Sequence, residues 1–217
     1  MTKRNPYLPS GPGPGLHGFS YELQIPDLKA WIFCPGMLFN TFDKWWGGAG
    51  YRKNAHEGLD LLLYTTRQDQ IDRLHEGTGI QVMAHGLIVS IIKDFLGKTV
   101  FVEHASPHQD CTRVYSIYGH TVPHRDVHAG MTVHRGDIIA TVAGPGSSPF
   151  PMAPHLHLSI ARAPRPLSPH QFSWETLGTS HRLTLLDPLK VLHHPYRILA
   201  HRNPICRNLR DATVPCT

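Results

Sequence analysis

The chain carries two histidines whose spacing suits metal chemistry, His155 and His157, in an apolar stretch spanning residues 152–160. In an extended strand, side chains two residues apart project from the same face, so both imidazoles point the same way. Two adjacent imidazoles could bind a metal ion. The same pattern is also typical of a strand with two unrelated polar residues on a solvent-exposed face, because a bare His-x-His pair has low specificity. The rest of the sequence has to decide between these interpretations.

A carboxylate lies at the start of a second apolar stretch, His56-Glu-Gly-Leu-Asp60-Leu-Leu-Leu-Tyr64. A short apolar run led by Gly58 indicates a strand that is entered from a loop, and the glycine argues against a helix. Asp60 would then lie on a strand whose other residues are apolar and are predicted to be buried. A buried carboxylate needs a compensating partner, and a metal ion is one such partner.

Short segments rich in β-branched residues follow one another, with turns every 8–12 residues or so, which is typical of an all-β sandwich or barrel. The predicted strands cover residues 80–84, 86–92, 98–103, 112–120, 133–142 and 155–160. Residues 65–79 are polar and are predicted to be a connection. Asp187-Pro188 predicts a short helix with Asp187 as its N-cap. With 217 residues, of which 41% are hydrophobic, the chain can bury one sizeable core.

Composition argues against two classes of partner. The net charge is +5, but lysine and arginine are scattered, so a nucleic-acid-binding role is not indicated. The longest apolar stretch near the start, residues 28–39, is too short and too interrupted to cross a bilayer. The N-terminus lacks the apolar core of a secretory signal, so we expect either that a signal is missing from this sequence or that the protein is not exported by that route.

The four cysteines, Cys34, Cys111, Cys206 and Cys216, show no Cys-x-x-Cys spacing, which argues against a structural zinc site built on them. Cys206 and Cys216 are close in sequence, and we hypothesise a disulfide between them. Four free thiols are the alternative.

Two N-terminal features remain open at this level. Residues 1–18 contain Gly-Pro-Gly-Pro-Gly and are predicted to be a flexible arm. Further on, Trp45 and Trp46 are adjacent in a glycine-rich loop. Either both tryptophans pack against the edge of the core, or they form an aromatic wall beside a cleft.

Three motifs in this chain resemble, in order, those of the lysostaphin-type (LytM-like) zinc metallopeptidases. They are His56-Glu-Gly-Leu-Asp60, Tyr118-Gly-His120 and Pro154-His155-Leu-His157. The turn at residues 130–136 and the Asp187-Pro188 pair are similar to further elements of that family. The resemblance spans roughly residues 50 to 192, and three ordered motifs are far more specific than either histidine pair alone.

The resemblance implies an all-β fold, an antiparallel β-sandwich or half-barrel of the LytM-like type with short peripheral helices. It implies one domain over residues 19–192, with the motifs in residues 50–160 and an excursion at residues 161–184. Residues 193–217 would form a C-terminal tail. Neither the excursion nor the first fifty residues follow the family pattern, so the choice of substrate stays open.

The resemblance also implies roles for five residues. His56, Asp60 and His157 would bind one zinc ion, and His120 and His155 would be catalytic residues beside it. Three ligands with a fourth position open for water are typical of catalytic rather than structural zinc. Spacing alone also permits another arrangement, in which both histidines of the 155–157 pair and His120 bind the metal and Asp60 supports a ligand.

The implied function is a zinc-dependent endopeptidase acting on stem or cross-link peptides of peptidoglycan. The family places such proteins in the cell envelope or outside the cell, and we expect a monomer. One alternative is a non-catalytic LytM-like module that binds cell wall or activates a partner hydrolase. Such modules typically lose ligands or catalytic histidines, whereas all five positions are filled here. A third possibility is cleavage of glycine-rich or other peptides outside the wall.

Overall fold

The computed structural model describes residues 16, 18–48, 50–105, 112–145, 152–179 and 182–211. The predicted N-terminal arm therefore lies almost wholly outside the described residues. Within them, two β-sheets and a few short helices form the fold. The all-β prediction is confirmed, and the larger sheet is open rather than a closed barrel.

The larger sheet carries the three motifs. Its strands are β2 (Leu59–Leu61), β5 (Gly79–Gln81), β6 (Gly86–Lys93), β7 (Lys98–Ala105), β8 (Arg113–Pro123), β9 (Thr132–Val133), β10 (Ile138–Val142), β11 (Leu156–Ala163) and β12 (Thr184–Leu186). The order is β12-β11-β8-β7-β6-β9, with β2 paired to β11 and β10 paired to β5 and β8. All of these pairings are antiparallel.

The smaller sheet has the order β13-β1-β3-β4, with strands β1 (Leu28–Phe33), β3 (Leu63–Thr66), β4 (Ile71–Arg73) and β13 (Tyr196–Ile198). Strand β4 corrects the prediction that residues 65–79 are only a connection. It is a short edge strand with exposed side chains, so it pairs through its backbone and shows no apolar periodicity. Strand β13 pairs in parallel with β1, which places residues 196–198 of the predicted C-terminal tail against the first strand of the fold.

The helices are short. They are α1 (Trp174–Thr179), α2 (Pro204–Asp211) and 3₁₀ turns at Pro35–Met37, Pro169–Gln171 and Pro188–Lys190. The predicted helix at Asp187-Pro188 is confirmed as a 3₁₀ turn, in which the carboxylate of Asp187 accepts a hydrogen bond from the N–H of Leu189 at 3.0 Å. No helix in the described ranges has the length and apolar character that a bilayer crossing requires.

Both faces of the central strands are covered, which explains their nearly continuous apolar sequences. On one face, Tyr118 and Leu158 belong to the main core. On the other face, Tyr115 and Ile117 pack against side chains from the 161–184 excursion, including Phe172. The excursion is therefore the cover of one face of the sheet.

A disulfide joins Cys34 to Cys206, across 172 residues of sequence. The hypothesised Cys206–Cys216 disulfide is therefore wrong, and so is the alternative of four free thiols. Cys111 and Cys216 lie outside the described residues. The reason for the error is physical: β13 runs beside β1 and brings helix α2 next to the segment after β1, a contact that sequence distance conceals.

We expect Cys34→Ser to lower the free energy of unfolding by about 2–5 kcal/mol, because opening so long a loop releases much of the entropy that the cross-link removes from the unfolded chain. Urea denaturation of oxidised protein measures this. Cys206→Ser should give the same loss, and the double variant should lose no more than either single one. Additive losses would contradict a shared disulfide.

Candidate metal centre

Three buried side chains from distant parts of the chain converge at one end of the larger sheet. His56 precedes β2, Asp60 lies in β2 and His157 lies in β11. The register of the β2–β11 pair sets Asp60 directly opposite His157. All three residues are buried, with exposed fractions of 2–4%. Strand pairing therefore brings the first and third sequence motifs together.

The inward-facing atoms of these residues lie close to one another. Asp60 Oδ1 is 3.2 Å from His56 Nε2 and 2.9 Å from His157 Nδ1. The two imidazole nitrogens are 3.2 Å apart. Ligand atoms around a tetrahedral zinc ion with bonds of 2.0–2.1 Å lie about 3.3 Å apart. The spacing of the three atoms thus fits a zinc site.

The remaining polar atom of each candidate ligand is held by a neighbour. His56 Nδ1 donates to the carbonyl of Leu38 at 2.9 Å. Because that carbonyl can only accept, Nε2 of His56 carries the lone pair. His157 Nε2 is 2.9 Å from the hydroxyl of Ser159, which leaves Nδ1 facing Asp60. Such outer hydrogen bonds orient histidine ligands in metalloproteins.

The second carboxylate oxygen of Asp60 accepts a hydrogen bond from the indole N–H of Trp45 at 2.6 Å and lies 3.5 Å from the guanidinium of Arg52. Burial by itself would raise the pKa of Asp60. Its interactions with His56 and His157 outweigh burial and hold that pKa well below its usual range. The carboxylate is therefore ionised at neutral pH, as a metal ligand must be.

His155 lies next to the three candidate ligands, but farther from Asp60 than His56 and His157 do. Its Nδ1 donates to the carbonyl of Ala153 at 2.8 Å, and its Nε2 is 3.9 Å from Asp60 Oδ1. Burial lowers the pKa of His155 to about 3, so the imidazole is neutral at pH 7. With Nδ1 protonated, Nε2 carries a lone pair that can accept a proton.

His120, on β8, completes the histidine cluster. Its ring centroid is 4.8 Å from that of His155 and 5.8 Å from that of His157. The indole of Trp174, from α1, stacks over it at 6.2 Å with an angle of 20° between the planes. The structure thus brings all five sequence-predicted residues into one place, with His120 and His155 next to each other beside the candidate ligands.

These residues open into a cleft of about 330 Å³. Besides the five, its walls are formed by aromatic, charged and sulfur-containing side chains: Trp46, Arg52, Glu57, Phe95, Met152 and Trp174. Three of these side chains, Trp46, Phe95 and Trp174, are aromatic.

Two supporting residues could not be found from sequence spacing. Trp45 is buried and holds Asp60, whereas its neighbour Trp46 packs against the core and also lines the cleft, so both tryptophans pack against the core and one of them is an aromatic wall. Trp174 comes from the excursion, and a Cβ on Gly119 would lie 3.1 Å from its ring. Neither contact leaves a periodic signal, because the partners are far apart in sequence.

Gly58 is required by close packing. A Cβ at this position would lie 2.4 Å from the carbonyl oxygen of Leu158 and 2.6 Å from His157 Nε2. Only glycine lets the loop between His56 and Asp60 approach β11 this closely.

We expect Trp45→Phe to weaken zinc binding by about 10–100-fold, because removing a hydrogen bond to a ligand typically has that effect on metal affinity. Competition with a chromogenic chelator measures the dissociation constant. Trp46→Phe, which changes a cleft wall instead, is the matched control and should bind zinc like the unmodified protein. Equal zinc affinity of Trp45→Phe and the unmodified protein would show that this hydrogen bond does not support the metal site.

One protein family has a sequence model that matches part of this chain. Residues 68–169 match the model of peptidase family M23. His120, His155 and His157 lie inside the matched stretch, whereas His56 and Asp60 lie before it. No curated protein sequence matches the chain.

Several solved structures are similar to this chain. The catalytic domain of the antimicrobial peptidase lysostaphin from Staphylococcus simulans is 22% identical, with 66% of this chain and 85% of that domain covered and a TM-score of 0.40. A peptidase M23 protein from Pseudomonas aeruginosa is 24% identical with a TM-score of 0.35, and the match covers 61% of this chain. The chain spans about half of that protein, 48% of its length. A catalytic-domain variant of the prophage-encoded M23 protein EnpA from Enterococcus faecalis is 24% identical, with 57% of this chain and 79% of that domain covered and a TM-score of 0.36.

Proposed function

We propose that this chain, which belongs to the LytM-like peptidases of family M23, is a zinc-dependent endopeptidase that hydrolyses peptide bonds in stem or cross-link peptides of peptidoglycan. The observation that carries the proposal is the convergence of His56 Nε2, Asp60 Oδ1 and His157 Nδ1 in a buried group beside two further histidines. Lone pairs that converge in this way, in an open cleft, are typical of a catalytic metal site.

In this proposal one zinc ion is held by His56, Asp60 and His157. When bound, zinc supplies Lewis acidity, which polarises a peptide carbonyl and lowers the pKa of a water molecule from 15.7 to about 7. The alternative ligand set, with both histidines of the 155–157 pair and His120, has less support, because the group of potential ligand atoms that converges among the described residues contains neither His120 nor His155.

His155 is the proposed general base. Its neutral imidazole, with Nδ1 fixed by the Ala153 carbonyl, presents Nε2 to accept a proton from the attacking water. The water oxygen forms a bond to the carbonyl carbon, and the bond to the leaving nitrogen breaks. His120, whose ring lies next to that of His155, stabilises the negative charge that develops on the carbonyl oxygen or passes a proton to the leaving amine.

The cleft and the charge of the chain support a wall substrate. Three aromatic walls, from Trp46, Phe95 and Trp174, offer apolar surface to an extended peptide. A net charge of +5 suits an anionic surface such as a cell wall. We place the protein in the cell envelope or outside the cell. It would act as a monomer, with its catalytic domain in residues 19–192.

The test is hydrolysis of purified peptidoglycan by zinc-loaded protein, followed as clearing in a zymogram and as release of free amines. We expect clearing, and none after chelation. Folded, zinc-bound protein that binds the wall without clearing it would instead support the non-catalytic module. Digests of glycine-rich peptides and of wall-derived peptides, run in parallel, separate wall cleavage from cleavage of other peptides.

A further inference from the structure

We propose that Asp94 is a positioning residue for His120: its carboxylate accepts a hydrogen bond from the backbone of His120 and faces Nδ1, which keeps the proton on Nδ1 and leaves Nε2 for the cleft. This inference rests on the proposed function only in that His120 takes part in hydrolysis. Nothing in the sequence motifs singles out Asp94, which lies in the turn between β6 and β7.

The carboxylate of Asp94 has two separate sets of contacts, and its side chain has no exposed surface. Oδ1 accepts hydrogen bonds from the backbone N–H groups of Leu96 at 2.9 Å and Gly97 at 2.7 Å, which closes the turn. Oδ2 accepts from the hydroxyl of Thr99 and from the backbone N–H of His120, each at 2.8 Å. One oxygen would suffice for the turn, and the other is directed toward His120.

Oδ2 of Asp94 also lies 3.3 Å from His120 Nδ1. This nitrogen is buried and has no aligned hydrogen-bond partner among the described residues, so the carboxylate is the charged group that faces it. Burial would raise the pKa of Asp94, but the side chain and backbone N–H of His120 and the Thr99 hydroxyl lower it below its usual range. An ionised carboxylate can only accept, so a proton on Nδ1 is favoured, and Nε2 of the neutral ring carries the lone pair. When Nε2 takes up a proton from solvent, the same carboxylate stabilises the imidazolium, which can then donate from Nε2 to the oxyanion or to the leaving amine.

The backbone of His120 shows why it needs such support. Its φ is +62°, in the left-handed region that non-glycine residues rarely adopt. The β7–β8 register shifts close by, between Lys98 and Val100, as at a β-bulge. Bulges beside active sites re-aim side chains, and the hydrogen bond from the His120 N–H to Asp94 stabilises this one. Phe95, from the same turn, packs its ring 4.5 Å from the imidazole.

A second aspartate–histidine pair, Asp137 with His134, has similar contacts on the surface and serves as a matched control. Asp137 Oδ2 accepts a hydrogen bond from the backbone N–H of His134 at 2.8 Å and lies 3.6 Å from His134 Nδ1. That pair lies on the surface and does not line the cleft. It repeats the contacts of Asp94 with His120 without the proposed chemistry.

The test is Asp94→Asn in the zinc-loaded full chain. Asparagine can still close the turn, but its amide presents no charge and can donate to Nδ1, which favours the opposite tautomer. The same exchange in a serine-protease triad lowers kcat about 10⁴-fold through the wrong tautomer. We expect kcat for wall peptides to fall about 10²–10⁴-fold, with zinc content and KM unchanged. Asp137→Asn should leave all three unchanged.

Nitrogen-15 NMR of the same zinc-loaded samples, above the pKa of histidine, reads the tautomer directly, with the His120 signals assigned by their loss in His120→Gln. We expect protonated Nδ1 in the unmodified protein and in Asp137→Asn, and protonated Nε2 in Asp94→Asn. Folded Asp94→Asn with unmodified kcat and tautomer would overturn the proposal. So would protonated Nε2 in the unmodified protein, a result that stands even if Asp94→Asn fails to fold. Because this readout needs no turnover, it separates failure of the positioning role from failure of the proposed peptidase function.

Discussion

His157→Ala should lose zinc and wall hydrolysis together. The substitution removes one of three proposed ligands, and the two that remain, His56 and Asp60, cannot hold zinc with comparable affinity. We expect the zinc content to fall from about one ion per chain to near zero after dialysis, and the hydrolysis rate to fall to background. Elemental analysis and amine release on the same samples measure both quantities.

Two further variants sharpen this prediction. His128→Ala, at an exposed histidine outside the cleft, is the control and should keep both zinc and activity. Asp60→Ala should resemble His157→Ala. If Asp60→Ala retains one zinc ion with unchanged affinity, Asp60 is not a ligand, and the alternative set with His120 and the 155–157 pair becomes the better account.

His155→Ala and His120→Ala should keep zinc but lose activity. Groups that move protons in a transition state typically contribute about 10²–10⁴-fold to the rate, and we expect losses in that range for each variant. The reason is geometric: each histidine borders the cleft, but neither belongs to the group of three converging ligand atoms. The measurement is zinc content and wall-lysis rate on each folded variant.

Two results would contradict these roles. If His155→Ala loses zinc as fully as His157→Ala, both histidines of the pair are ligands. If His155→Ala keeps zinc and full activity, His155 is not the general base, and its place beside the ligands has no catalytic consequence.

The sequence was most informative where neighbouring residues alternate between the faces of a strand. Strand β8 is an example: Tyr115 and Ile117 face one apolar layer and Tyr118 the other, as their alternation predicts. The convergence of the three motifs could also be predicted, because their order matches a known family. In the structure, the register of β2 and β11 sets Asp60 of the first motif opposite His157 of the third motif.

The features that the sequence did not predict depend on contacts between residues that are far apart in the chain and belong to no recognisable motif or periodicity. The Cys34–Cys206 disulfide requires the parallel pairing of β13 with β1, and β13, a three-residue strand without buried side chains, has little periodicity to reveal it. The hydrogen bond from Trp45 to Asp60 and the contacts of Asp94 with His120 are likewise single long-range contacts. Physical chemistry explains each of them once the fold is known, but spacing does not indicate them.

The excursion at residues 161–184 shows the same limit. Its prolines and serines suggest a surface loop, yet Phe172 and Leu177 are buried against the sheet, and Trp174 stacks on His120. A segment that interrupts the family pattern therefore covers part of the core and forms one wall of the candidate site.

Titration of metal-free protein with zinc, with the rate of peptide-bond hydrolysis in purified peptidoglycan recorded at each step, tests the central claim most directly. We predict that the rate rises in proportion to zinc and reaches a plateau at about one equivalent per chain, since His56, Asp60 and His157 form one three-ligand site. Hydrolysis that is equally fast in metal-free protein, or no hydrolysis by folded protein that has bound one equivalent, would contradict a zinc-dependent wall peptidase.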